Sequence, residues 1–443
     1  MAITITNLTT GGDTTDGTSF TTASITPAAN SLILVAITST SAVDTTPNTP
    51  TGNSLTYVSV VQKIQGLTRL SFFRSIGASP SAGAITFGFS DTQTDVRWSV
   101  LQCTGVSTFG LNGIDAVVQS AANSAATGTS LTVTLGTFEA GATANATVGA
   151  FAHIISEGTT PGGGFTELGD SSGGLLALET EWLNGQDTTV DASWSTTSVN
   201  IGIAVEVRAL GTRFYLPSDT LATGISPTAS ASWEDTSILT RTTAAANTPR
   251  ASAMTTVSFT DNNAANRDVA FKQFVIGTLT AGQTITGSQA LRFQARCKQR
   301  ADTNNMFLSF GIRVIASDGT TVNKTVLDVF RDTVNECESA ALTNRRITTT
   351  SAATNYATVS GDYLVFEVGT SGDPDVGNDH DSDIRLGDAA AADLVEDDST
   401  TTDNNPWIAM VDALTFVAAA TGQPTIKRFG GVRFAANLGQ GIW

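Results

Sequence analysis

Ten carboxylates crowd the stretch from Asp373 to Asp398, the kind of oxygen-rich supply that calcium, with its six to eight oxygen ligands, selects. Asp379, Asp381 and Asp383 alternate with His380 and Ser382, the spacing that opens a calcium loop. An EF-hand loop starting at Asp379 would need Gly at position 384 and Glu at 390, where this chain has Ile384 and Ala390. The stretch therefore reads as a solvated acidic loop, with calcium on Asp379, Asp381 and Asp383 as the alternative. In that case the ion would relieve like-charge repulsion and order the loop. No other cofactor is expected.

Nucleophilic chemistry is thinly supplied. Gly169-Asp170-Ser171-Ser172 has the letters of an esterase nucleophile block, and His153 is one of only two histidines in the chain. Neither an oriented triad nor an oxyanion hole is recognisable around them, so the block reads as a turn and His153 as a packed or edge residue. Carboxylate pairs of the glycosidase type need a defined separation that spacing does not give. No enzyme is expected.

Tryptophan can stack on sugar, since its amphipathic ring suits a sheet face. Trp98, Trp194 and Trp233 are expected in cores or corners. Trp182, before Leu183-Asn184-Gly185, and Trp407, after Asn404-Asn405-Pro406, are flanked by turn residues and are the candidate glycan contacts. The C-terminal stretch differs from everything before it: Lys427, Arg428 and Arg433 interleave with Phe429 and Phe434 and lead to Trp443 without one acidic residue. Arginine and aromatics are enriched in interface centres, and a basic tail complements an acidic protein. Lys427, Arg428, Phe429, Arg433, Phe434 and Trp443 are therefore the candidate docking residues, with pairing inside the chain's own last sheet as the alternative.

The rest of the chain is built for surfaces. Charged residues make up 14% of it, against roughly 25% in ordinary soluble proteins. From Trp98 to Val207 there is no Lys or Arg at all, and the formal net charge is −17. Such a field repels nucleic acid and anionic membrane surfaces, so neither is an expected partner. No stretch reaches a membrane span, and Met1 to Thr6 lacks the pattern of a signal peptide, which leads to an expectation of synthesis in the cytoplasm. Cys103, Cys297 and Cys337 are odd in number and lack metal spacing, and are expected as buried free thiols.

Period-two alternation predicts half-buried strands at Ile85 to Phe89, Leu131 to Leu135, Val148 to Ile154 and Ile201 to Val207. Leu291, Phe293, Ala295 and Cys297 alternate with Arg292, Gln294, Arg296 and Lys298, which predicts a sheet with one wet face. Ser317-Asp318-Gly319-Thr320 reads as a hairpin turn. A short helix is possible around Ala389 to Val395. The stretch from Ala229 to Thr256 is either a loop or an arm lying on a neighbour. At 443 residues the chain should exceed one core. The expectation is an all-β protein of two antiparallel, jelly-roll-like sandwich domains in tandem, 1–210 and 211–443, the second ending in the tail 427–443.

Thr68-Arg69-Leu70-Ser71-Phe72-Phe73-Arg74 with Ala78 to Gly83 and Ile85 to Phe89 resembles a β-rich segment of tailed-bacteriophage structural proteins. Leu178-Glu179-Thr180-Glu181-Trp182 and Asp191-Ala192-Ser193-Trp194-Ser195 accompany it. Asp393-Leu394-Val395-Glu396-Asp397-Asp398, Asn404-Asn405-Pro406-Trp407-Ile408 and the Gly-Gly, Trp-terminated tail extend the likeness. The resemblance implies a non-enzymatic virion component of head-decoration, neck or tail-fibre type, in contact with copies of itself and other virion proteins. A receptor- or glycan-binding module of a tail fibre or cell-surface adhesin, directed at a host surface glycan, is the alternative.

Overall fold

A computed structural model describes residues 2–260, 268–300, 305–372, 381–390, 394, 401 and 404–417. The chain is all-β, and among the described residues the one helical turn is the 3-10 turn Leu111–Gly113. Ala389 and Ala390 form a turn, and most of the expected helix lies outside the described residues.

The first 210 residues contain two units. The first runs through β1 (Thr4–Asp13), β2 (Gly17–Thr21), β3 (Leu32–Thr40), β4 (Thr51–Gly52), β5 (Leu55–Thr56), β6 (Val58–Gln65), β7 (Thr68–Ser75), β8 (Thr86–Gln93) and β9 (Asp95–Thr104). The second runs through β10 (Val117–Ala125), β11 (Ser130–Thr134), β12 (Ala146–His153), β13 (Thr160–Pro161), β14 (Thr166–Gly173), β15 (Leu176–Leu183), β16 (Thr189–Ser193) and β17 (Asn200–Val207).

Their topologies coincide. The large sheet of the first is ordered β1-β9-β3-β7-β6 and that of the second β10-β17-β12-β15-β14, while the small sheets run β2-β8-β4-β5 and β11-β16-β13. Register agrees as well: Ile37 faces Ser71 in the first as Phe151 faces Glu179 in the second. The β6–β7 and β14–β15 pairs each carry a bulge at the same place, at Val60 and at Leu168. Both hairpins then close on Gly-Leu, with Gly66 and Gly174 at φ 62° and 56°, the positive-φ geometry a tight hairpin turn requires.

The two large sheets pack face to face. Leu32, Leu34, Leu70, Phe72 and Leu101 from one meet Val148, Leu178, Ile201, Ile203 and Val205 from the other. Strand β1 lies along β14 and β10 along β6, so exchanging the units maps this interface onto itself, as in a two-fold dimer. Each large sheet is covered on its other face by its own small sheet, through Val35, Phe73 and Trp98 with Phe87 in the first and Phe151 with Val133 and Val190 in the second. This four-layer stack corrects the half-buried reading for two of its four strands: β12 and β17 are buried on both faces, as are β3 and β9, while β8 and β11 keep one exposed face.

The remaining strands are β18 (Thr212–Tyr215), β19 (Thr240–Thr243), β20 (Ala245–Ala246), β21 (Thr255–Phe259), β22 (Asp268–Gly277), β23 (Thr284–Ile285), β24 (Ala290–Gln299), β25 (Met306–Ile315), β26 (Val322–Glu336), β27 (Thr343–Thr350), β28 (Tyr356–Ala357), β29 (Tyr363–Gly372), β30 (Ser382–Leu386) and β31 (Trp407–Met410). One sheet follows β20-β18-β31-β24-β30-β21 with β27 also on β24, and the other β19-β22-β29-β25-β26. Phe214, Phe293 and Ile408 of the first meet Phe271, Phe310 and Phe366 of the second in a shared core. Between β25 and β26, Asp318 accepts the Thr320 and Thr321 amides at 2.8 Å each, fixing the expected hairpin.

Two expectations are corrected here. Cys297 and Cys337 are joined in a disulfide across the two sheets, and only Cys103 is a buried free thiol. Their 40-residue separation gave no sign of this, because the pairing arises only when β24 and the end of β26 meet across the sandwich. The polar face of β24 is not wet: Arg292, Gln294 and Arg296 are all buried. The stretch after Ala229 lies on its own sheet, where Trp233 donates through Nε1 to Glu367 at 2.9 Å.

Candidate functional site

The densest convergence of charge in the described structure is a joint. The segment linking the two stacked units carries Asp115, and β17 is followed at once by Arg208, the residue that ends the stretch without cations. Arg213 comes from β18 and Arg292 from the polar face of β24. All three guanidinium groups meet the Asp115 carboxylate: Arg208 in a short ion pair, Arg292 at 2.7 Å and Arg213 at 3.8 Å. Ser107 donates at 2.5 Å to Oδ2, the oxygen on the Arg213 side, and Arg208 also holds Glu139 at 2.8 Å.

Arg213 is itself sandwiched, its guanidinium 3.7 Å from the Trp407 ring centre and 4.2 Å from that of Phe109. Burial pushes the Asp115 carboxyl up, but the charges of Arg292, Arg208 and Arg213 outweigh it and hold the group well below the usual carboxylate range. Close by, Ala290 donates its amide to the Ala140 carbonyl at 2.7 Å. Gly141 sits at φ 71° where a Cβ would lie 2.4 Å from the Gln289 Cα, so no larger residue fits this crossing. The arrangement fixes the stacked pair to the C-terminal sandwich, and its charges are spent on one another.

The sequence candidates fall elsewhere. Trp407 is completely buried, because β31 is an inner strand between β18 and β24, and its Nε1 donates to the Leu394 carbonyl at 2.8 Å. It presents no face to a sugar, which corrects the expectation of a glycan contact. Trp407→Phe is accordingly expected to lower stability by about 1–2 kcal/mol in urea titration, through the lost hydrogen bond and weaker contact with Arg213. Trp182 is the penultimate residue of β15, half-buried against the core between the large sheets. Trp98, Trp194 and Trp233 are buried as expected.

Of the acidic candidates, Asp379 lies outside the described residues. Asp383 sits on β30 and pairs with Arg300 at 3.0 Å, and the Asp381 carbonyl accepts the Arg300 amide. Among the described residues no three His, Cys, Asp or Glu side chains are arranged to hold a metal. Lys427, Arg428, Phe429, Arg433, Phe434 and Trp443 also lie outside the described residues.

His153 stacks on Trp194 with ring centres 4.8 Å apart, and its Nε2 is 3.1 Å from the Thr159 hydroxyl rather than from a serine. Gly169 to Ser172 is strand, not turn, as part of β14. Sequence reasoning missed the joint: Asp115, Arg208, Arg213 and Arg292 carry no motif spacing, although the abrupt end of the cation-free run at Arg208 marked its edge. A groove of about 500 Å³ opens beside the joint, lined by Val118, Gln119, Glu139, Ala290 and Thr348. Its one charged group there, Glu139, is already held by Arg208. Compared with family models, curated proteins and solved structures, the chain matches none.

Proposed function

We propose that this chain is a non-enzymatic structural protein of a tailed-bacteriophage virion, decorating the head or serving as a neck or tail accessory, and held there by docking to copies of itself and to other virion proteins. The observation that carries this reading is the stack of sandwiches: the chain joins β-units by burying complementary sheet faces. The ion pairs of buried Asp115 with Arg208 and Arg292 tighten one such joint. The hydroxyl-rich, cation-poor composition and the resemblance of several segments to phage structural proteins support the same reading.

Gold-labelled antibody raised against the chain is expected to mark intact particles from the producing culture. Label over the head supports decoration, and label confined to the tail supports a neck or tail role. Particles without label would overturn the proposal.

A further inference from the structure

The two stacked units share a topology but not an interior. At the position of Ser71 the second unit has Glu179, and at that of Phe73 it has Glu181. Both glutamates point between the large and small sheets and are completely buried. Neither Glu179 oxygen has a hydrogen-bond partner, and Glu181 has one, the Gly162 amide at 2.9 Å on Oε2. Gly149, where the first unit has Val35, makes the room: a Cβ there would sit 2.9 Å from Glu181 Oε1.

Of the elements packed around the pair, β9 brings one cation, Arg97, which lies over Gly173 and pairs with Asp95, and the others add charge of the same sign or none. Strand β14 places Asp170 directly opposite Glu179, with one oxygen buried and unpartnered, and Glu167 opposite Glu181. Strand β12 offers Phe151 and, at its end, His153, which burial keeps toward its neutral form. Asp191 on β16 and Asp187 before it act on Glu181, and Glu157 lies in the connecting loop near His153. No Lys or Arg occurs between Trp98 and Val207 to offset them. A buried carboxylate with neither cation nor donors is far less stable than its neutral acid.

We propose that the second unit is a proton-locked module, closed while Glu179 and Glu181 are uncharged and loosened ahead of the first unit when rising pH ionises them. Burial, then the neighbouring carboxylates, raise Glu179 well above the usual carboxylate range, and burial brings Glu181 to about 8. The sign follows: each folded-state value exceeds the unfolded one, so the native unit binds the extra protons. Stability is full below about pH 4 for these groups and declines as pH rises through the folded values. The first unit, with Ser71 and Phe73, is the internal control.

Hydrogen–deuterium exchange on the full chain, corrected for intrinsic rates, tests this at pH 6 and pH 9. Between pH 6 and pH 9, protection in β11, β12, β15 and β16 is expected to fall by about a hundredfold relative to β3, β7, β8 and β9, the linkage factor for one carboxyl of folded value about 8 and unfolded value about 4.3. Glu179→Gln with Glu181→Gln, which keeps shape and removes the charge, is expected to hold protection level between the two pH values. The same ratio of protection between the two units at pH 9 as at pH 6 in the unmodified chain would overturn the proposal whether or not the variant folds. Calcium chloride alone restoring protection at pH 9 would overturn it too, by making the carboxylates a cation site.

Discussion

Asp115→Ala is expected to destabilise the protein by about 3–5 kcal/mol, since it removes the buried carboxylate that gathers the Arg292, Arg213 and Arg208 guanidinium groups, of which Arg208 keeps Glu139. The loss far exceeds that of a surface ion pair, which is worth roughly 0–1 kcal/mol. Because the residue joins the stacked units to β18 and β24, the variant should also unfold in two steps in urea where the unmodified chain unfolds in one. A single transition with an unchanged midpoint would show that the joint contributes nothing. The carboxyl is held below its unfolded value of about 3.9, so its contribution is complete above that pH and is lost only as acid approaches the depressed folded value. Asp115→Asn keeps a hydrogen-bonding oxygen but no charge and should fall between the two.

Replacing both Cys297 and Cys337 by serine is expected to cost about 4 kcal/mol, the chain-entropy value for releasing a loop of 40 residues. Both sulfurs are fully buried, so a reductant should act on the folded protein only as fast as it unfolds. The check is a urea titration of the oxidised chain against the double variant. Coincident curves would mean that the crosslink adds nothing to the C-terminal sandwich. The expected effect arises in that half, since the stacked units hold only the free thiol of Cys103: the double variant should unfold its C-terminal sandwich at lower urea, ahead of the stacked units.

Strand identity was legible because alternation is a local property. Leu131 to Thr134, Ile201 to Val207 and Leu291 to Cys297 are strands, and the turn at Asp318-Gly319 is where its letters put it. What covers the second face of a strand was not legible. Arg292 and Arg296 alternate like solvent-facing residues, yet another part of the chain lies over them. Trp407 failed for the same reason, since its flanking turn residues say nothing about the strands on either side. The repetition within the first 210 residues was hidden because the copies share register and hydrophobic placement more than letters. In the β7 and β15 hairpins, Gly66-Leu67 and Leu70 match Gly174-Leu175 and Leu178, while Phe72 and Phe73 stand where the second unit has Thr180 and Glu181. Packing faces depend on period, and period survives substitutions that erase identity.

That repetition changes what dilution can do. Two separate sandwiches joined through such a self-complementary face would part when their concentration fell below the dissociation constant, and their stability would depend on how much protein was present. Here the short segment between Thr104 and Val117 tethers them, so each meets the other at an effective concentration on the order of millimolar however dilute the chain becomes. The tether also frees the copies from one another. In a dimer of identical chains every substitution lands on both sides of the axis, whereas this chain can keep Phe73 in one interior and set Glu181 in the other.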